Sequence, residues 1–506
     1  MRAARAAATA LCAALAQACT VGPSFEPPHQ PVPDRYAAAR SSTPDAAPQL
    51  SSEASPQSFW WREFHDPELD RLVERVTRGN LDLKAAYLRI AAARIEVQAA
   101  RAEGLPSLNA SGSYTREQLG LAGILKSQGI GSSSGPASSA SAQALIASLE
   151  QPVNLYQLGF DASWEIDLFG KVRRSVEEAR AQGAAAVESR NDLLVSLEAE
   201  VAQTYFQLRA SQALRQITQE LVAAQRQITE LTDSRHLHGL ASEPEVESAR
   251  GELASLESQL PQYVQTIAAS KHALAVLTGQ PPEALDEEFG DTGELPALPA
   301  RIPIGVPSTL ARRRPDIRNA EAALHAATAQ VGVSVASLFP DISLAGTYGL
   351  RNLGTAYLFD WQSHFYTFGP TVSVPIFHGG ALIASVRLSR AQAAEAALNY
   401  RKTVLGALQE VEDGLSALHQ DARRTTALER TLTADERAFE VQMNAYRHGV
   451  ISYISVLTVQ LQAVQARQQL AQARLTQSTD LVKLYKALGG GWQGAPAADA
   501  EAAQAN

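Results

Sequence analysis

The 506-residue chain is long enough for more than one domain, and a hydrophobic content of 45% can build a sizeable core. Those residues are mostly Ala, Leu and Val, with aromatics at only 6%, a mix that suits long helices packed side by side better than a compact catalytic core. A net charge of −9 with no basic stripe argues against nucleic acid as a partner.

The first eighteen residues read as an export signal: Arg2 and Arg5 precede an Ala-rich run from Ala6 to Ala16. That run is too short and too poor in Leu to span a bilayer. The stretch Leu15-Ala16-Gln17-Ala18-Cys19 resembles a bacterial lipobox, which makes Cys19 the expected acylated first residue of the mature chain. Both cysteines, Cys12 and Cys19, precede residue 20, so the mature chain has one thiol and no intrachain disulfide. Lipidation gives that thiol a role. Thr20 stands where retention signals for the inner membrane usually place Asp, which by resemblance favours the outer membrane. Residues 19–62, rich in Pro, Ser and Ala, read as an extended arm.

A first repeat is expected over 63–304. Helical patterning starts near Asp66, runs through Leu83, Tyr87, Ile90, Ile95 and Val97, and stops at Gly104-Leu105-Pro106. A strand near 105–116 alternates Leu108, Ala110, Gly112 and Tyr114 with Asn109, Ser111, Ser113 and Thr115. After a loop of roughly forty Gly/Ser/Ala-rich residues, a second strand near 157–168 alternates Leu158, Phe160, Ala162, Trp164 and Ile166 with Asp161, Ser163, Glu165 and Asp167. A long helix over 171–236 holds no proline, and only Gly183 interrupts its helix formers. At about 1.5 Å per residue it approaches 100 Å, too long for a globular domain of this size, so it must project as part of a bundle or tube. A returning helix over 243–279 contains Pro261, which removes a backbone donor and should kink it. Asp286-Glu287-Glu288 in the linker reads as a solvated run.

A second repeat over 305–492 has the same order. Its helix is followed by strands near 339–350 and 364–376, a long helix over 380–447 and a returning helix over 452–488. Ile342, Leu344, Gly346 and Tyr348 alternate with Asp341, Ser343, Ala345 and Thr347; Tyr366, Phe368, Val372, Val374 and Ile376 alternate with Thr367, Thr371 and Ser373. Asn80-Leu81-Asp82 answers Arg314-Pro315-Asp316 at an offset of 234, Phe169-Gly170 answers Phe377-His378-Gly379 at 208, and Gly239 answers Gly449 at 210. A duplication that keeps register and order implies two halves in related positions around one axis. The stretch 493–506 reads as a disordered tail.

Strands of about ten residues with aromatic ends fit transmembrane β-strands. Four cannot close a barrel, and an open edge in lipid leaves backbone groups unsatisfied at several kcal/mol each. Copies must therefore share one barrel, and three chains of four strands make twelve. The polar faces, with Asp161, Glu165, Asp167 and Asp341, would line the lumen. The expected fold is thus mainly α with a small transmembrane β-barrel: a trimeric 12-stranded β-barrel, four strands per chain, continued by a long α-helical periplasmic barrel.

The whole order resembles the outer-membrane factor family of trimeric efflux ducts, and within it the lipoprotein branch of the nodulation protein T type. The motifs are Cys19-Thr20-Val21-Gly22-Pro23, the run Phe160–Gly170, Arg313-Arg314-Pro315-Asp316-Ile317 and Tyr446-Arg447-His448-Gly449. The resemblance implies a homotrimer crossing outer-membrane lipid, with a helical tunnel that docks a periplasmic adaptor protein and an inner-membrane pump, commonly of the resistance-nodulation-division class. It implies a passive duct exporting drugs or other small molecules. Type I protein secretion and metal or solvent export are alternatives within it. A structural trimeric envelope protein is a more distant one, because such a coiled coil needs sustained heptads and few strands.

It also implies that the helix-turn-helix tips are the functional end. Arg235, Gly239, Leu240, Ser242 and Val246 surround the first turn, and Arg447, Gly449, Val450, Ile451 and Ser452 the second, with glycine permitting positive φ. Family members often close the periplasmic mouth with carboxylates just after the second tip; the matching positions here are Ser455 and Thr458. An apolar ring of Ile454 and Leu457, with hydrogen bonds from Tyr446 and Arg447, is the expected replacement. The sequence has no catalytic set, nucleotide loop or Cys/His metal spacing, so neither an enzyme nor a cofactor is expected. His236 and His238, one residue apart, do not share a helix face and are not read as metal ligands.

Overall fold

The computed structural model describes residues 20–28, 31–38, 49–51, 58–118, 151–290 and 292–494. Cys19, the 119–150 loop and 495–506 lie outside the described residues. In chain order the elements are β1 (Gln49–Ser51), α1 (Pro67–Gly79), α2 (Leu81–Ala102), β2 (Ser107–Glu117), β3 (Val153–Glu165), α3 (Lys171–Leu237), α4 (Glu243–Glu257), α5 (Leu260–Leu277), β4 (Arg301–Pro303), α6 (Pro307–Arg313), α7 (Pro315–Ala336), β5 (Asp341–Asn352), β6 (His364–Ser373), α8 (Ala381–Arg447) and α9 (Tyr453–Ala487). The chain divides into two units, one of residues 1–25, 95–180 and 325–393, the other of 26–94, 181–324 and 394–506.

The first unit carries a four-stranded antiparallel sheet in the order β2-β3-β5-β6. Its register puts like opposite like. Asn109, Asp161, Thr347 and Thr367 form one cross-sheet row, and Ala110, Phe160, Tyr348 and Tyr366 the next. Because successive side chains alternate between faces, this register makes one face polar and the other apolar across all four strands. The strands differ from expectation at their ends: β3 starts at Val153 and stops at Glu165, leaving Ile166 and Asp167 in the turn, and β6 stops at Ser373, before Val374 and Ile376. Pro375 and Gly379-Gly380 lie just beyond, where the ladder gives way to α8.

The start of the arm is seated on this unit. Val21 N–H donates to Phe169 O at 3.2 Å, the Arg174 guanidinium donates to Val21 O at 3.3 Å, and Phe25 stacks on His325 at 4.3 Å. Gly170, at φ +84, leaves room for this seat: a Cβ added there would meet Thr20 at 2.7 Å.

The second unit is built on the long helices. α3 and α8 have 67 residues each. Trp60 stacks on Tyr485 at 5.1 Å, and Phe64 packs on Phe206 at 4.9 Å within one apolar core. Asp66 caps α1 by accepting from Glu68 N–H and Leu69 N–H, and its other oxygen accepts from the Tyr205 hydroxyl at 2.7 Å. The first returning helix is broken between Glu257 and Leu260, where Pro261 cannot donate to the preceding turn, whereas α9 runs 35 residues through the matching Ala471 without interruption. Of the stretch 493–506, Gln493 and Gly494 close a 3₁₀ turn begun at Trp492.

The duplication survives at the level of single hydrogen bonds. The Asn80 side chain caps α2 through Leu83 N–H at 3.0 Å and donates to Leu277 O, the end of α5, at 3.0 Å. Its counterpart Arg314 binds Asp316 through two nitrogens and donates to Ala487 O, the end of α9, at 2.9 Å. Leu277 and Ala487 are themselves 210 residues apart. The Arg-Arg-Pro-Asp motif is therefore a clasp between the start of one helix and the unpaired carbonyls at the end of another.

Candidate functional site

The two hairpin tips have one backbone geometry. In the first, Gly239 N–H donates to His236 O at 2.8 Å and Leu240 N–H to Arg235 O at 2.8 Å. In the second, Gly449 N–H donates to Tyr446 O at 2.8 Å and Val450 N–H to Ala445 O at 2.9 Å. Both are Schellman ends, and both glycines sit at φ +72, a left-handed conformation that favours glycine. A Cβ added at either would meet nothing within 4 Å, so backbone conformation and not crowding selects glycine there. His238 Nδ1 lies 2.7 Å from Ser234 O and His448 Nδ1 2.8 Å from Asn444 O. Because a carbonyl only accepts, each ring nitrogen donates and adds a bond to the helix end.

The tips then diverge. Ser242 N–H donates to the Glu245 carboxylate at 2.6 Å, and this bond, followed by one from the Ser242 hydroxyl, holds the Glu245 carboxyl below the usual range. The second tip has Ser455 at that position, with its hydroxyl 3.0 Å from that of Ser452. Arg235 donates to Leu240 O at 3.1 Å and His236 to Ala241 O at 2.9 Å. Leu240 and Val450 are exposed, at 68% and 74%. Leu237, not singled out from sequence, is exposed at 83%; its place at the very end of α3 was the available signal. Ile451 is half-buried, while Ser452 and Arg447 are exposed.

Two residues expected at the surface are not there. Val246 is 4% exposed and packs inside the chain, as does its counterpart Val456. Leu457 is fully buried, which removes it from any ring facing a lumen. Helical spacing explains both: each sits on the buried face of its returning helix. Of the positions after the second tip, Ile454 and Ser455 are half-buried, Thr458 is exposed and donates to Ile454 O at 2.9 Å, and Tyr446 packs its ring 5.1 Å from Tyr453. Tyr453 also donates to Gln227 at 3.3 Å, which joins α9 to α3. Sequence reading missed Tyr453, whose only flag was that an aromatic stands where the first repeat has Glu243.

On the polar face of the sheet, Asp161 accepts from Ser111 and Thr347, both at 2.9 Å. Glu165 pairs with Lys171 at 3.1 Å, and Asp341 is exposed at the start of β5. Asp167 is off the strand, largely covered, and paired with Arg173 at 3.1 Å. It lies beyond the end of β3, so it does not extend the row of face carboxylates. On the other face Leu108, Phe160, Tyr348, Tyr366 and Phe368 are all more than half exposed, an apolar patch far larger than isolated surface residues make. Tyr114 and Tyr156 pack at 5.0 Å near one end of the sheet. Among the described residues no helix is long and apolar enough to cross a membrane, and no three of His, Cys, Asp and Glu group to hold a metal ion.

A sheet with one polar and one exposed apolar face, joined to 67-residue helices with hairpin ends, defines an outer-membrane channel of mainly α fold with a small β component. The outer membrane efflux protein model matches residues 72–280 and 306–490, one segment per repeat. The chain belongs to that family. It is 32% identical over 477 residues to the probable efflux pump outer membrane protein TtgC of Pseudomonas putida, covering 94% of this chain and 93% of the relative. It is 30% identical over 490 residues to nodulation protein T of Rhizobium leguminosarum bv. viciae, covering 96% and 93%. The solved outer-membrane channel OprN superposes with a TM-score of 0.80 at 31% identity, covering 94% of this chain and all of that one.

Proposed function

We propose that three copies of the chain form a passive outer-membrane duct of a tripartite efflux system, with a 12-stranded barrel in lipid and a helical tube in the periplasm. The observation that carries this reading is the open four-stranded sheet. β2 and β6 are its edges, each with a row of backbone groups that lipid cannot satisfy, and its exposed apolar face needs lipid. Pairing β6 of one copy with β2 of the next satisfies both edges, and in that arrangement Asp161, Glu165 and Asp341 face the lumen.

Cys19 carries the lipid anchor in this reading. The tips at Gly239 and Gly449 receive a periplasmic adaptor, whose partner is an inner-membrane pump of the resistance-nodulation-division class. The duct itself performs no chemistry, and pump and adaptor choose the exported small molecule. With Leu457 buried, the closed mouth is built from Ile454, Tyr446 and the hydroxyls of Ser455 and Thr458.

The mass of the purified protein in detergent, measured by light scattering with the detergent contribution subtracted, tests the assembly and should be that of three chains. Material that is a single chain, soluble and monomeric without detergent, would refute the reading.

A further inference from the structure

The geometry points to two non-equivalent docking surfaces on each chain: the first tip takes an adaptor surface that carries a cation beside its apolar contact, the second one that carries a carboxylate. This rests on the docking reading above and adds the chemistry of the partner at each tip.

The shared scaffold makes the comparison exact in register. Both tips keep the Schellman turn, the donating histidine before the glycine, a serine that opens the returning helix, and a buried valine four residues after it. With backbone and support held constant at an offset of 210, exposed side chains that differ report what each tip meets. Exposed Leu237 is answered by exposed Arg447, and exposed Glu243 by Tyr453, which is half-buried.

The charges at the first tip are mostly committed. Arg235 acts electrostatically on Glu245, which caps Ser242, so those two opposite charges offset one another, and Arg250 binds both Glu247 at 2.8 Å and Asp233 at 3.1 Å. Glu243 is exposed and has no hydrogen-bonding partner among the described residues. At the second tip Tyr446 and Tyr453 pack on each other, the first turn of α9 holds no acid, and Arg447 is exposed with no such partner. The first tip therefore offers exposed apolar side chains, Leu237 and Leu240, in the same turn region as an unpaired negative charge, and the second offers Val450 beside an unpaired positive one.

Apolar burial supplies affinity that both tips share, and the charges supply discrimination, because like charges brought together at an interface are costly. A partner surface of fixed charge that suits one tip is repelled by the other. Adaptor copies around the tube must then alternate in the face they present.

The probes are two disulfide-stapled helical-hairpin peptides with one apolar end, identical except for Lys or Glu beside it. They are titrated onto the full-length protein in lipid nanodiscs at low salt. Glu243→Gln should weaken the Lys hairpin by about two- to five-fold and leave the Glu hairpin unchanged; Arg447→Gln should do the converse, and both effects should fade at high salt. Both side chains are exposed, so both variants should melt with the parent, which a thermal scan verifies. If either variant weakens the two hairpins equally, or neither moves either hairpin, the two tips are equivalent and the proposal fails while docking stands. If neither hairpin binds the parent protein, docking at the tips fails with it.

Discussion

Replacing Arg314 by alanine should destabilise the chain by roughly 3 kcal/mol, a value built from what its guanidinium holds. The side chain is buried and donates to Asp316 twice, to Glu410 at 2.6 Å and to Ala487 O at 2.9 Å. Glu410 is 60% exposed, so water takes over most of that pair, worth below about 1 kcal/mol. Asp316 is 30% exposed and accepts two nitrogens in fork geometry, for about 1–2 kcal/mol more. The stranded carbonyl of Ala487, left inside the protein, costs about 1 kcal/mol or more. Arg314→Lys keeps the charge but not the fork and should lose about half as much. Urea unfolding of the purified protein in detergent measures this by tryptophan emission, because Trp492 donates to Arg313 O at 2.7 Å and packs on Arg318 beside the clasp. An Arg314→Ala midpoint within about 0.5 kcal/mol of the parent would show that the clasp is incidental.

Burial pushes the Glu198 carboxyl well above its ordinary value, and its Oε2 has no partner among the described residues. A raised carboxyl contributes stability that is complete below the unfolded value of 4.5 and is lost as pH rises through the folded one; Glu198→Gln should therefore flatten the fall in unfolding midpoint above that pH, and an unchanged pH profile would contradict it. Burial, then a hydrogen bond shared with Asp480, pushes Asp421 up to about 6. Asp421→Asn should consequently leave stability unchanged near pH 3.8, the model-compound value, and raise it above about pH 6, as read from thermal scans across pH. Gly239→Val or Gly449→Val should cost about 1–2 kcal/mol at the turn and abolish export, with assembly intact on native gels; full drug resistance in cells carrying these variants would exclude the tips from docking. Ile454→Ala should raise single-channel conductance, since it trims the one apolar group of the closed mouth that is not buried, and an unaltered conductance would remove Ile454 from the gate.

The strands and long helices were legible because their signals are local. Period-two alternation in Asp161–Glu165 and Asp341–Thr347, and a proline-free run of helix formers after Val172, each specify an element without knowledge of its neighbours. Glycine before an exposed apolar residue marked both turns for the same reason. The misplacements were all questions of what covers a side chain. Val246 and Leu457 carry no mark distinguishing a helix face turned to solvent from one turned inward. Asp167 continued the alternation of β3 by one step, but the ladder had already ended at Glu165 and the carboxylate turned to Arg173. The pairing of Asn80 with Leu277, and of Arg314 with Ala487, spans more than 170 residues and no pattern in the chain announces it.

Comparing the repeats separates what the scaffold needs from what its surfaces do. Asn80 and Arg314 are chemically unlike, yet each reaches the last carbonyls of its returning helix. Selection there kept a contact and let the residue drift. The tips show the reverse: glycine, histidine and serine stay fixed while Leu237 and Arg447 change polarity at an exposed site, and exposed Glu243 is answered by half-buried Tyr453. A position whose only task is folding can change residue if the bond persists. An exposed position on an invariant backbone can change polarity without penalty to the fold, so only a partner can constrain it. Exchanging Leu237 with Arg447, a swap that keeps composition and net charge, should therefore leave stability within about 0.5 kcal/mol of the parent but reduce export. A swapped protein that exports normally would mean that the polarity of the two tips is free to drift.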